Sequence, residues 1–256
     1  MRLVVAFVYA IFIWVLCAFH LAQAEPITAD WQTDSWFSLL ESLSGPTVLE
    51  GAHAHGSWGT KIGFGGSQYR LSKEVPHSAL IYNDKTQNKE TLFVPRVYLT
   101  KGTPIGIDFG LQYATGENRM FTLAGGYMQW SFYQELAMPA LAIRTSFTEL
   151  QGIESTRFQA VHPELLTSYG FLRYFEIYGG VGGLYSQAAY DDSQDQQLTL
   201  LPDSLAPPPA ASATRIRASG RAGLQITLGS PFFSATAEYF TQGDNPVWSG
   251  KLAIGI

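Results

Sequence analysis

The sequence predicts an all-β chain: an antiparallel transmembrane β-barrel of about ten strands, with eight to twelve open, preceded by a short amphipathic helix. Three observations predict it. Apolar residues recur with period two from about Val48 to the end. The opposite face of those strands is Gly, Ala, Ser, Thr and Gln with isolated charges, which suits a confined interior better than water. Connections alternate between short and long, and aromatics such as Tyr69, Tyr113, Tyr133, Tyr185, Phe233, Tyr239 and Trp248 fall near strand ends. Composition agrees. Only 14% of the 256 residues are charged, 14% are aromatic and 25 are glycine. A formal net charge of −5 argues against nucleic acid as a partner.

Residues 1–24 read as a signal peptide. Arg2 opens it, Leu3 to Phe19 is uncharged and nearly all apolar, and Ala22-Gln23-Ala24 has the A-x-A cleavage pattern. Cys17, the single cysteine, leaves with it, so the mature chain has no disulfide and no thiolate metal site. Loss of Arg2 takes the formal charge to −6.

Residues 25–47 form an expected periplasmic segment. Asp34 or Ser35 can cap a helix over 35–44, whose Trp36, Leu39, Leu40 and Leu43 share one face, and Gly45-Pro46 stops it. Such a helix plugs the periplasmic mouth or lies on the inner face of the membrane.

The barrel is expected over 48–256. Trp58, Thr60, Ile62 and Phe64 share a face in 56–70, and Phe93, Val97 and Leu99 in 91–101, where Pro95 marks a bulge or irregular pair. Ile107, Phe109, Leu111 and Tyr113 alternate with Asp108, Gly110, Gln112 and Ala114. In 119–133 the apolar phase changes from odd (Phe121, Leu123) to even (Met128, Trp130, Phe132), which predicts a bulge at Gly125-Gly126. Strands follow at 139–147, 164–172 with Pro163 at its edge, and 174–187. Ile216, Ala218, Ala222, Leu224 and Ile226 then oppose Arg215, Arg217, Ser219, Arg221 and Gln225. The last two strands are 231–241 and the terminal one, with Trp248, Leu252 and Ile254 against Ser249, Lys251 and Ala253. The long connections are 71–90 and 188–213, and both chain ends are expected on the short-turn, periplasmic side.

This pattern, with the signal peptide, resembles Gram-negative outer-membrane β-barrel proteins of an uncharacterised, porin-like kind over residues 48–256. The terminal Lys251-Leu252-Ala253-Ile254-Gly255-Ile256 resembles their barrel-assembly signal, though it ends in Ile rather than Phe. The resemblance implies an outer-membrane location, lipid around the barrel and recognition by the assembly machinery through the C-terminal strand. It implies no cofactor and no enzymatic activity.

The expected interior carries Lys61, Arg96, Asp108, Arg144, Arg215, Arg217, Arg221, Glu238 and Lys251. Two readings follow: a narrow passive channel for small anionic solutes lined by these residues, or a non-conducting structural or adhesion barrel that presents its long loops. His55-Gly56-Ser57 resembles the His-x-Ser of outer-membrane lipid hydrolases, the least favoured reading, because no orienting acid is apparent. His53 and His55 lack a third ligand for a metal. Asp191, Asp192 and Asp195 lack the glycine and terminal Glu of a calcium loop. The Asp-x-His of omptin proteases is absent.

Overall fold

The structure, a computed structural model, describes residues 31–45, 47–56, 59–70, 91–116, 121–135, 138–153, 156–171, 174–190, 213–228, 233–242 and 245–255. The signal peptide, Ser57, the connection 71–90 and Asp191, Asp192 and Asp195 lie outside the described residues.

One helix, α1 (Trp31–Ser44), precedes ten strands: β1 (Thr60–Arg70), β2 (Thr91–Gly102), β3 (Ile107–Thr115), β4 (Thr122–Tyr133), β5 (Ala140–Ile153), β6 (Thr156–Phe171), β7 (Phe175–Tyr190), β8 (Ala213–Leu228), β9 (Phe233–Gln242) and β10 (Asn245–Gly255). Each strand pairs antiparallel with its sequence neighbours. β1 closes on β10 in an unbroken register from Lys61↔Gly255 to Tyr69↔Val247. Closure leaves no sheet edge, the condition for strands to sit in lipid. The outer face carries the apolar belt that requires: Phe64, Phe93, Leu111, Val181, Ile216 and Trp248 are each at least 60% exposed. Among the described residues no helix is long and apolar enough to cross a membrane.

The alternation holds in detail at the C-terminus, where Ser249, Lys251 and Ala253 are buried while Trp248, Leu252 and Ile254 are exposed. Pro95 sits opposite Gly66, one residue beyond the end of the β2–β3 pairing that starts at Arg96, so no ladder donor is lost on that side.

Two strands differ from expectation for one reason. In β4 the register runs continuously through Gly125 and Gly126, and the irregularity lies between Ser131 and Tyr133. The odd residues from Leu123 to Ser131 face inward. Leu123 is inward and apolar, while Trp130 and Phe132 are outward and apolar, so the greasy face changes without a bulge at Gly125-Gly126. β6 likewise begins at Thr156, and Pro163 lies mid-strand, where the pairing to β7 skips from Val161↔Tyr185 to Glu164↔Gly182. Phe158 and Ala160 precede it on the lumen face. Toward one end of the barrel both faces of the wall are apolar, and the period-two contrast fades there.

The cause is α1, which lies inside the barrel. Phe37, Leu39, Leu40 and Leu43 form a buried cluster with Tyr69, Val94, Leu123, Leu150, Phe158, Leu184, Phe240 and Val247 of the wall. The side chains from Phe37 to Ser44 are buried except the half-buried Ser38. The polar side of this part of the helix is mostly serine, and serine can be buried by bonding back to the helix: Ser42 Oγ donates to Ser38 O and Ser44 Oγ to Leu40 O, both at 2.8 Å.

The chain enters from the end with the long connections. Phe37 stacks edge-on against Phe158, and Ser38 accepts from Arg215 and Arg217, all near the loop ends of β6 and β8. From Gly45 the segment runs down the lumen to His53 and His55, which meet Glu176 and Asp108 at the short-turn ends of β7 and β3. It then joins β1. The helix is thus neither at the short-turn mouth nor on a membrane face. The start of α1 and the end of β10 lie at opposite ends of the barrel, the first at the loop end and the second at the short-turn end.

Candidate functional site

The closed barrel encloses a lumen, and residues 37–45 and 47–55 lie in it. The upper half receives the helix. Its last carbonyls have no intrahelical partner, and the wall supplies donors: Arg96 Nη2 to Leu43 O at 2.9 Å, Thr148 Oγ1 to Ser44 O at 2.7 Å. A guanidinium at that end also suits the helix dipole. Glu41 lies between Arg215 (3.6 Å) and Arg217 (3.3 Å) and accepts from Ser186 Oγ at 2.6 Å.

The lower half receives an irregular peptide. Its backbone groups are satisfied by wall side chains rather than by a β ladder. Lys251 Nζ donates to Val48 O at 3.1 Å, Arg144 Nη2 to Glu50 O at 2.6 Å, Gln129 Nε2 to Gly51 O at 3.0 Å and Ser131 Oγ to Ala52 O at 2.6 Å. Ala52 N donates to Ser168 Oγ at 3.1 Å and His55 N to Asp108 Oδ2 at 2.9 Å. The chain kinks at Leu49, whose φ is 57° in the left-handed region that side chains avoid, with its side chain fully buried. Close approach needs glycine: a Cβ on Gly102 would come within 2.3 Å of Gly56 O.

Each sequence-predicted interior residue faces the lumen. Arg96, Asp108, Arg144, Arg221, Glu238 and Lys251 are buried; Lys61 and Arg217 are half-buried. They are not one lining. Arg144 and Arg221 share Glu164 (3.4 and 2.6 Å), and Arg221 continues to Glu238 at 3.2 Å, which accepts from Tyr178 Oη at 2.9 Å. Arg96 serves the helix end. Lys251 serves Glu50. Asp108 and Glu238 were the acids legible in the sequence; Glu164 and Glu176 on the wall, with Glu41 and Glu50 on the segment, complete the balance. Their signal was there in β6 and β7, where both lie on the inward positions, but the partners come from strands far apart in sequence.

His53 and His55 do not converge. His53 Nδ1 lies 2.8 Å from Glu176 Oε1 and 2.9 Å from Ser168 Oγ, while His55 Nε2 lies 3.0 Å from Glu50 Oε2. The Glu176 carboxylate holds the His53 pKa above its ordinary value, against a smaller opposing effect of burial. Among the described residues there is no group of three His, Cys, Asp or Glu placed to hold a metal. A different histidine and serine do meet. His162 Nε2 is 2.5 Å from Ser219 Oγ, but its Nδ1 is 3.9 Å from Glu164, beyond hydrogen-bond reach, and the ring is enclosed edge-on against Phe240. In this arrangement the pair is a buried hydrogen bond with no approach for a substrate.

No protein-family model and no curated protein sequence matches this chain. Among solved structures it resembles outer-membrane barrels. The KdgM porin in complex with disordered oligogalacturonate aligns over 77% of this chain and 99% of its own, at 7% identity and a TM-score of 0.40. The N-terminal β-barrel domain of Pseudomonas aeruginosa OprF aligns over 78% and 98%, at 11% identity and 0.38. The translocator domain of autotransporter NalP from Neisseria meningitidis aligns over 87% and 96%, at 11% identity and 0.44.

Proposed function

We propose that this chain is an outer-membrane barrel closed to passive flow in its resting state, which works at the cell surface through the elements at its loop end. One observation carries the reading: residues 37–45 and 47–55 lie in the lumen from the loop end to the short-turn end, the helix packed on the wall by its side chains and the chain from Leu43 onward bonded to it through backbone groups. An adhesive or structural role needs no open path; passive diffusion does. The test is planar-bilayer recording on the refolded mature protein. Insertion without current steps is expected, and discrete steps at rest overturn the reading.

A second reading rests on the charge of the wall. Lys61, Arg96, Arg144, Arg215, Arg217, Arg221 and Lys251 face Asp108, Glu164, Glu176 and Glu238, and the segment adds the buried acids Glu41 and Glu50. Withdrawal of the segment leaves a basic surplus, so the opened lumen prefers anions. A chain lacking residues 25–55 is expected to conduct with anion preference, and cation preference overturns this second reading alone.

A further inference from the structure

Glu50 is bonded at both carboxylate oxygens. Oε1 accepts from Lys251 Nζ at 2.9 Å and Thr100 Oγ1 at 3.1 Å; Oε2 accepts from Tyr127 Oη at 2.5 Å and faces His55 Nε2 at 3.0 Å. Three of these partners belong to the wall, on β10, β2 and β4, and only His55 comes from the segment itself.

The wall groups are positioned without help from Glu50. The Tyr127 ring lies flat over Gly110, where a Cβ would stand 1.9 Å from a ring carbon. The Lys251 stem runs over Gly63, where a Cβ would stand 3.0 Å from its Cδ. Lys251 Nζ also sits over the Tyr98 ring at 5.3 Å. Beside them Arg144 is fixed by Gln129 and Glu164 and stacks over Tyr127 at 5.3 Å. Donors held in place by the sheet form a recognition site whose ordering cost is already met.

We propose that the lumen wall carries a carboxylate-binding site built by Lys251, Thr100 and Tyr127, which Glu50 occupies as a tethered ligand and which small free carboxylates take when Glu50 is removed or neutral. The chemistry selects the class. Lys251 brings a single positive charge and the two hydroxyls one donor each, which matches a planar, singly charged group with two oxygens. A doubly charged phosphate would leave an oxygen and a charge unmatched in a buried setting. The site goes beyond the closed-barrel reading, because it concerns what the wall recognises and not whether current flows at rest.

The experiment is chemical rescue in the full mature chain. Glu50→Ala leaves Lys251 facing a cavity, and its thermal midpoint falls. Acetate, titrated at constant ionic strength against chloride, is expected to raise that midpoint with the logarithm of its concentration, by about 3–6 °C at a tenfold and about 5–11 °C at a hundredfold excess over its dissociation constant. Acetamide, the same shape without charge, is expected to do nothing, and Glu50→Ala with Lys251→Met is expected to lose the response to acetate. Equal effects of acetate, acetamide and chloride overturn the proposal. Should Glu50→Ala fail to assemble, Glu50→Gln keeps the volume and removes the tethered charge. Acetate is then expected to speed amide exchange of residues 47–55 about threefold over chloride as it displaces the side chain. Equal exchange rates in the two salts overturn it.

Discussion

The two halves of the lumen hold the same segment by opposite means. Toward the loops, Leu39, Leu40 and Leu43 of the helix meet Leu123, Leu150, Phe158 and Leu184 of the wall, and Ser38, Glu41 and the last carbonyls add polar contacts to this apolar packing. Toward the short turns, Val48 to His55 form an irregular thread kinked at Leu49, and six of its backbone groups meet polar side chains of the wall. Burial of apolar surface supplies energy without direction. Hydrogen bonds net little energy but fix position, and they cost much when one partner is removed. The upper half therefore gives the plug its affinity, and the lower half gives it its register.

The sharpest break of this comparison is topological. The helix lies in the upper half, with Phe37 and Ser38 beside the loop ends of β6 and β8. A short epitope tag inserted between residues 26 and 30 is expected to react with antibody on intact cells, and a tag after Ile256 only after permeabilisation. The opposite labelling pattern would mean that the segment enters from the short-turn end.

Next in size is Arg144→Met. The guanidinium joins Gln129, Glu164 and the carbonyl of Glu50 at full burial. Its removal leaves Glu164 to Arg221 alone and takes a buried donor from Glu50 O and Gln129 Oε1, a loss of about 1–3 kcal/mol for each group left unsatisfied. A large fall in the urea midpoint of the refolded barrel is expected. Leu40→Ala in the upper half follows, at about 2–5 kcal/mol for a buried leucine, toward the low end if the helix settles into the gap. The two variants should differ in kind. Leu40→Ala weakens the hold on the helix and leaves the lower thread in register, so protection of amides 47–55 persists. Arg144→Met is expected to lose that protection. Equal loss in both variants would dissolve the division between the halves.

How far the fold was legible follows the same line. The outer face had to be apolar for lipid, and where the inner face is polar the contrast is sharp: in β8, Arg217, Ser219, Arg221 and Gln225 oppose Ala218, Ala222 and Leu224. Where the helix docks, the inner face is apolar too. Leu123 read as a phase change, Leu150 fell into a connection, and Phe158 and Ala160 were passed over before β6. These misplaced residues mark the footprint of the plug. The helix itself offered one clue, since between Trp31 and Ser44 its only charges are Asp34 and Glu41, too few for a helix with a wet face. The charged interior was legible as a set because parity fixes which side a strand residue takes. Its pairing was not, because a pair such as Arg144 and Glu164 depends on register, and a pair such as Glu41 and Arg217 depends on a segment whose place in the lumen no alternation encodes.

The smallest expected effect lies at the foot of the lower half and tests whether registration is electrostatic there. His53 meets Glu176 at 2.8 Å with its side chain 30% exposed. Its raised pKa means that the folded state holds the proton more tightly than the unfolded one. The contribution is then fully present below the unfolded histidine value and is lost as pH rises through the higher folded value. With the site part-exposed and salt-screened, it amounts to under about 1 kcal/mol. Stability measured from mildly acidic to mildly alkaline pH should fall slightly in the wild type across that window, and His53→Gln should flatten the slope.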